Sequence, residues 1–218
     1  MLDVRGVGKS FGDVAVLADV TFTVERGEVV ALTGVNGSGK STLLRCIVGW
    51  DSIDVGQVLF DGQPYDERRS EVRQAVAIGI EPGTDFSDLT VREHLEFMAR
   101  AHGDDNPDDV VLEVLDELNL RAVADHFPFA LSQGQQRRSG LASCFVRPRR
   151  LLILDEPEQN LDVQGREWLV ERIRAERAAG VAVLMACHNP ELIQQVADGE
   201  VTLGWQPDSD VEPEAPAM

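Results

Sequence analysis

Short apolar runs separated by polar turns recur along the chain and predict strands that alternate with helices. Residues 20–24 alternate apolar and polar side chains, which is typical of a strand with one buried face. Residues 29–32 and 151–154 are unbroken apolar runs, which predict strands buried on both faces. Further strands are predicted over residues 57–60, 75–80 and 181–186, with a last strand near Val201.

Amphipathic spacing and end signals predict the helices between these strands. A helix over residues 40–48 follows a Gly-rich loop, and two more are predicted over 90–101 and 105–118. In the latter, Asn106 is expected to cap the helix and Pro107 to lie in its first turn. Two final helices are predicted over residues 163–178, ending at Gly180, and over 191–197.

The order of elements predicts one α/β domain over residues 1–205, because a chain of 218 residues is sufficient for a single core. A mostly helical subdomain, at about residues 84–145, interrupts the alternation of strands and helices. Residues 206–218 are rich in Pro, Asp and Glu and contain few apolar side chains. That composition predicts a disordered acidic tail.

Composition and charge exclude several classes of protein. The formal net charge of −18 has the wrong sign for binding to phosphate backbones, so no nucleic-acid partner is expected. The longest apolar run, residues 181–187, is far shorter than a membrane-spanning helix, and the first residues do not resemble a secretory signal. The three cysteines are far apart in sequence and form no CxxC pair, which argues against a zinc site. Unpaired cysteines of this kind are typical of reduced cytosolic thiols.

A glycine-rich loop between the strand over 29–32 and the following helix predicts a phosphate site. Its residues fit the pattern G-x-x-x-x-G-K-[ST], in which glycines let successive backbone N–H groups point at phosphate oxygens. Lys40 is placed to reach the β and γ phosphates, and the Ser41 hydroxyl to ligate Mg²⁺. The alternative is a glycine-rich turn without a ligand, which the strand–loop–helix context disfavours. The loop consists of Gly34, Val35, Asn36, Gly37, Ser38, Gly39, Lys40 and Ser41.

Two carboxylates follow the apolar run over residues 151–154, at the strand end where an α/β sheet places its ligand. Asp155 is suited to hold Mg²⁺, and Glu156 to act as the general base toward an attacking water. In isolation the pair fits equally well with a solvated acidic turn. The phosphate loop upstream favours the catalytic interpretation.

These motifs, in this order over residues 2–204, resemble the ATP-binding-cassette (ABC) ATPases, the nucleotide-binding subunits of ABC transporters. Residues 131–135, Leu-Ser-Gln-Gly-Gln, resemble the family's signature Leu-Ser-Gly-Gly-Gln. The resemblance implies that this element completes the ATP site of the opposite subunit at its γ-phosphate. An ordinary capped helix start is the alternative for the segment alone. The residues implied to bind nucleotide in this way are Ser132, Gln133, Gly134 and Gln135.

The resemblance implies roles for four further residues. His188 occupies the position of the family's switch histidine at the γ-phosphate. Asp162 matches the end of the D-loop, which signals across the dimer, and is assigned to the nucleotide-binding residues. Phe11 matches the aromatic residue that stacks on adenine, although a core phenylalanine is an equal alternative. Thr42 extends the phosphate loop into the helix.

Three positions depart from the family pattern. Gln133 replaces the first glycine of the signature, and Glu158 begins the D-loop in place of a small hydroxyl residue. The Q-loop glutamine, which senses Mg²⁺, aligns with Glu81, whose carboxylate could also ligate the ion. These changes leave phosphate and metal binding in place and bear on the rate of turnover and its coupling.

The resemblance implies a P-loop NTPase fold, with a mixed, mostly parallel sheet, a small antiparallel N-terminal subdomain and a helical signature subdomain. It implies ATP and Mg²⁺ as cofactors, a second ABC ATPase subunit and an integral membrane permease as partners. It implies a place on the cytoplasmic face of the membrane. The short chain favours an exporter. Two alternatives remain, a soluble ABC ATPase of a non-transport machine and an ATP-dependent clamp with little turnover.

Overall fold

An antiparallel sheet forms the N-terminal part of the computed structural model, which describes residues 1–80 and 88–204. Its strands are β1 (Leu2–Phe11), β2 (Val14–Val24), β4 (Val55–Phe60) and β5 (Gln63–Pro64), in the order β2-β1-β4-β5. The strand predicted over residues 20–24 is the last part of β2, which is eleven residues long. Glu81 and residues 206–218 lie outside the described residues.

A parallel sheet of five strands forms the centre of the molecule. It contains β3 (Val29–Thr33), β6 (Val76–Gly79), β7 (Leu151–Asp155), β8 (Ala182–Ala186) and β9 (Gly199–Thr202). The order is β6-β7-β8-β3-β9, and every neighbouring pair is parallel. The predicted α/β class is confirmed. The parallel and the antiparallel strands form two separate sheets rather than one mixed sheet. The carboxyl ends of all five parallel strands therefore lie along one edge.

Alternate residues of the parallel strands pack into two different cores. Ala31, Leu152 and Met185 face one core, which is built with the helices of the central and C-terminal parts of the chain. Leu32 and Ile153 face the other, which is shared with the helix after β3 and the antiparallel sheet. Burial on both faces explains why β3, β7 and β8 are continuous apolar runs.

Seven α-helices surround the sheets in the described residues. Two short 3₁₀ helices, Arg121–Val123 and Pro128–Ala130, precede the signature segment. Among the residues that the structure describes, no helix is long and apolar enough to cross a bilayer. The α-helices are α1 (Lys40–Ile47), α2 (Ser70–Ala75), α3 (Val91–Ala101), α4 (Asp108–Glu117), α5 (Gln133–Phe145), α6 (Val163–Ala178) and α7 (Pro190–Val196).

Two local predictions are corrected. The strand predicted over residues 75–80 begins at Val76, because the preceding residues form the helix α2, which the pattern did not indicate. Only Val72 and Ala75 of this six-residue helix are buried, which is too little to show helical periodicity. Pro107 is the N-cap residue of α4 rather than part of its first turn. The helix predicted over residues 163–178 is confirmed at both ends.

Candidate active site

A cavity of about 870 Å³ opens at the carboxyl edge of the parallel sheet. Its walls come from the hairpin of β1 and β2, the loop between β3 and α1, the loop after β7 and the loop after β8. Four segments that are distant in sequence therefore meet at one place. This is the edge at which open α/β sheets bind their ligands.

The loop after β3 has the backbone conformation of a phosphate cradle. Gly34, Gly37 and Gly39 have φ angles of 138°, 82° and 93°, which residues with a Cβ atom rarely adopt. A Cβ on Gly34 would also lie 2.3 Å from the carbonyl oxygen of Leu203, so only glycine fits there. Gly39 precedes the first turn of α1, and no side chain caps that helix. The free N–H groups of α1 are thus left available for an anion.

Lys40 and Ser38 are buried within the loop. The ammonium of Lys40 donates hydrogen bonds to the carbonyl oxygens of Gly34 at 3.0 Å and Val35 at 3.1 Å. The Ser38 hydroxyl has no hydrogen-bond partner within the described part of the chain. A buried polar atom of this kind is costly unless a ligand satisfies it. Together the two side chains fit a bound phosphate group.

Asp155 ends β7 and is buried, with 9% of its surface exposed. Burial raises the pKa of its carboxyl group, although a hydrogen bond from the Ser41 side chain opposes that effect. Its Oδ1 atom has no partner in the described residues. Those residues contain no cluster of three or more His, Cys, Asp or Glu side chains able to hold a metal. One carboxylate and one hydroxyl nevertheless fit Mg²⁺, which takes its other ligands from phosphates and water.

Glu156 has a strained backbone conformation, and both its backbone and its carboxylate are held by neighbouring residues. Its φ angle is 45°, in the left-handed region, and its N–H donates to the carbonyl oxygen of Ala186 at 2.8 Å. Its Oε1 lies 2.9 Å from His188 Nε2, and its Oε2 accepts a hydrogen bond from Gln159 at 3.0 Å. Strain of this kind persists where the surroundings enforce it, which is common at active sites. The carboxylate is therefore oriented within the cavity by two neighbours.

The structure brings most of the predicted site residues together. Lys40, Ser41, Glu156 and His188 line the same cavity, and Asp155 contacts it through Ser41. Phe11 also lines the cavity with half of its surface exposed, and the Lys9 ammonium lies 5.3 Å from its ring centroid. The remaining lining residues are Asn36, Gly37, Gly39 and Thr42 from the loop and α1, Val16 from β2, and Glu158 and Gln159 from the loop after β7.

The signature segment does not line this cavity. Ser132 is the N-cap of α5, and its hydroxyl accepts from the Gln135 N–H at 3.3 Å, while the Gln135 side chain accepts from the Ser132 N–H at 2.9 Å. Gln133 is exposed at the same helix end, and a Cβ on Gly134 would lie 3.2 Å from the carbonyl oxygen of Asn160. This end of α5 is thus presented outward. Asp162, predicted to bind nucleotide, caps α6 by accepting from the Gly165 N–H at 2.8 Å.

Arg137 is a supporting residue that the sequence did not reveal. It lies on α5, is buried, and donates through Nη2 to the carbonyl oxygens of Asp155 at 2.6 Å and Glu156 at 2.7 Å. The signature helix is thereby attached to the backbone of both acidic residues. Its acceptors are main-chain atoms 18 and 19 residues away, so no side-chain pattern indicates the contact.

Glu158 has partners that the sequence did not indicate. Its Oε1 accepts hydrogen bonds from the His188 N–H at 3.0 Å and from the Cys187 thiol at 3.1 Å. Its Oε2 is buried without a partner in the described residues. Burial and the nearby Glu158 raise the pKa of Cys187 far above its usual range, which keeps the thiol protonated as a donor.

Comparisons with known proteins agree with this geometry. A family described as ABC transporter matches residues 17–159. The SkfA peptide export ATP-binding protein SkfE of Bacillus subtilis is 31% identical over 200 residues, covering 91% of this chain and 83% of that protein. The Nod factor export ATP-binding protein I of Bradyrhizobium diazoefficiens is 36% identical over 201 residues, covering 90% of this chain and 65% of that protein.

Importers and solved structures also match. The sulfate/thiosulfate import ATP-binding protein CysA of Bordetella parapertussis is 37% identical over 210 residues, covering 93% of this chain and 59% of that protein. A solved ATP-binding subunit of an ABC transporter superposes with a TM-score of 0.86 at 30% identity, covering 93% of this chain and 85% of that structure. The chain thus spans less than two thirds of some relatives and most of others.

Proposed function

Because this chain belongs to the ABC transporter family of ATP-binding, ATP-hydrolysing subunits, we propose that it powers an exporter through ATP-driven dimerisation. The observation that carries the proposal is the convergence of Lys40, Ser41, Glu156 and His188 on one cavity. A buried cation and a hydroxyl suited to Mg²⁺ are recurring parts of phosphoryl-transfer sites, and a carboxylate or an imidazole can orient or deprotonate the attacking water.

The proposed chemistry assigns a role to each of these side chains. The backbone N–H groups of the loop and the Lys40 ammonium bind the phosphates of ATP. When bound by Ser41 and Asp155, Mg²⁺ supplies charge neutralisation on the phosphates. Glu156 accepts a proton from the attacking water, and His188, 2.9 Å from its Oε1, orients the carboxylate. Phe11 offers a ring face for the adenine.

Dimerisation is proposed because the cavity and the signature segment lie apart on one subunit. Ser132 and Gln133 are exposed at the N-terminal end of a thirteen-residue helix, where backbone dipoles favour an anion. Placed against the cavity of a second subunit, this end would contact the γ-phosphate. ATP would then join two subunits, and its hydrolysis would release them.

Export and a membrane partner are proposed from the relatives. The match covers 83% of the peptide export protein SkfE, 65% of the Nod factor export protein and 59% of the sulfate import protein CysA. Of these three relatives, the one covered over most of its length is named for export, which supports that direction. The chain would bind an integral membrane permease and lie at the cytoplasmic face of the membrane.

The permease partner is tested by affinity purification from detergent-solubilised membranes of the native host, followed by mass spectrometry. We expect a protein with several membrane spans in stoichiometric amount, together with a second ABC ATPase subunit or a second copy of this chain. A tagged protein recovered only from the soluble fraction, with soluble partners, would contradict the transport role. That outcome would favour a soluble ABC machine and leave the ATPase chemistry unaffected.

A further prediction concerns Asp155 and stability. Because burial raises its pKa in the folded state, the folded protein loses stability as the pH rises from the ordinary value of 3.8 through that raised pKa. We expect Asp155→Asn to raise the Tm of the nucleotide-free protein at pH 7 by about 2–4 °C. In a domain of this size, that shift corresponds to a gain of about 1 kcal/mol in the free energy of unfolding. The variant should also show a smaller effect of Mg²⁺ on nucleotide affinity, because only Ser41, the phosphates and water would still ligate the ion.

The Asp155 prediction is measured by scanning calorimetry at several pH values and by ATP titrations with and without Mg²⁺. The difference in Tm between variant and native protein should narrow as the pH is lowered through the raised pKa of the native Asp155 carboxyl, because that group then becomes neutral. A variant less stable than the native protein at pH 7 would show that Asp155 is not a destabilising buried charge.

A further inference from the structure

The loop between β8 and α7 carries His188, and few groups hold its backbone. The Cys187 N–H donates to the carbonyl oxygen of Leu32 at 3.2 Å, and the Asn189 N–H contacts the Cys187 sulfur at 3.4 Å. The Asn189 side chain is used to cap α7, where it accepts from the N–H groups of Glu191 and Leu192. Among the described residues, the backbone partner of His188 itself is the Glu158 carboxylate, at 3.0 Å.

Glu158 belongs to the other loop of the site, two residues after Glu156. One oxygen of its carboxylate accepts both the His188 N–H and the Cys187 thiol, so it holds two consecutive residues of the facing loop. His188 in turn places Nε2 2.9 Å from Glu156 Oε1. The contacts close a ring that runs from Glu156 along the chain to Glu158, across to the His188 backbone, and back through the imidazole.

We propose that Glu158 is a positioning residue for hydrolysis, which fixes the His188 backbone so that its imidazole orients the Glu156 carboxylate. The inference deepens the proposed function and rests on it. Glu158 begins the D-loop, which ends at Asp162. A partner subunit that contacts this loop would therefore act on His188 through the Glu158 carboxylate.

The kinetic test compares Glu158→Ala, Glu158→Gln, His188→Ala and the double variant Glu158→Ala/His188→Ala in steady-state phosphate release. Glu158→Ala should lower kcat about tenfold or more, since small misplacement of catalytic groups costs up to about 100-fold. The Kd for ATP should change much less than kcat, because the Glu158 carboxylate lines the cavity but accepts its hydrogen bonds from Cys187 and His188 rather than from Lys40 or Ser41. Glu158→Gln retains a carbonyl oxygen that accepts the same hydrogen bonds and should restore most of kcat.

The double variant separates positioning from a general structural role. If Glu158 acts through His188, its loss should have little further effect once His188 is alanine, so the two effects should not add. Full additivity, or a Glu158→Gln variant as impaired as Glu158→Ala, would overturn the proposal.

A second measurement follows the geometry independently of turnover. Hydrogen exchange of the His188 N–H, measured by NMR, should accelerate at least about tenfold in Glu158→Ala and remain slow in Glu158→Gln, because exchange requires the hydrogen bond to open. Unchanged protection in Glu158→Ala would overturn the proposal even if kcat falls. Absence of phosphate release from the native protein would refute the proposed ATPase role, while the exchange measurement would still decide whether Glu158 holds His188.

Discussion

Replacing Glu156 with Gln is expected to lower phosphate release by at least about 100-fold while ATP continues to bind, the size of effect typical for loss of a general base. Gln keeps the shape and the oxygen acceptor of the side chain, but its amide cannot take a proton from the attacking water. In the proposed dimer, hydrolysis would then be blocked after ATP has joined two subunits. The variant should therefore accumulate as an ATP-bound dimer, measured by size-exclusion chromatography with light scattering.

Glu167→Gln provides the matched control for this experiment. Glu167 is exposed on α6, and the same substitution there removes one negative charge away from the cavity. Its turnover should equal that of the native protein, and its dimer should dissociate as ATP is consumed. Turnover close to the native rate in Glu156→Gln would refute Glu156 as the base.

Replacing Lys40 with Ala is expected to weaken ATP binding about 10- to 100-fold, the range expected for the loss of hydrogen bonds from a charged group. The ammonium is buried and lies within 3.1 Å of two loop carbonyls, so its removal also leaves the phosphates without their cation. Isothermal titration with ATP measures the loss. Hydrolysis should fall in parallel, because Lys40 reaches the phosphates that change charge during the reaction.

Arg45→Ala controls for the loss of a cation from the same helix. Arg45 lies in the last turn of α1 and pairs with Asp51 at 3.0 Å, outside the cavity lining. Its variant should bind ATP with native affinity. Thermal unfolding without nucleotide shows whether Lys40→Ala remains folded. An unchanged Kd for ATP in the folded variant would contradict the role of Lys40.

The sequence was sufficient to predict the elements that are buried on both faces or periodic over many residues. The apolar runs at β3 and β7 and the sixteen-residue helix α6 are examples. The antiparallel sheet was harder to predict, because β1 and β2 change register several times where they pair, which breaks any regular alternation. The helix α2 is too short to produce a pattern.

Motif spacing predicted which side chains surround the cavity, but not how they are held. The pattern placed Lys40 and Glu156 in one site, and the structure brings them together. It could not show that Arg137 binds the backbone of Asp155 and Glu156, or that Glu158 binds the backbone of His188. Both contacts join a side chain to main-chain atoms far along the chain, and every residue type offers the same main-chain atoms. Side-chain patterns therefore carry no signal for them.

The pairing of β3 has a consequence for how the protein is made. This strand carries the phosphate loop at its end, yet its two neighbours, β8 and β9, begin at residues 182 and 199. Domains generally fold as units during synthesis, and pairings between distant segments form slowly. The antiparallel sheet β2-β1-β4-β5 is complete by residue 64. Nucleotide affinity is thus expected only after β9 has been synthesised, and until then β3 has to be kept from incorrect pairing.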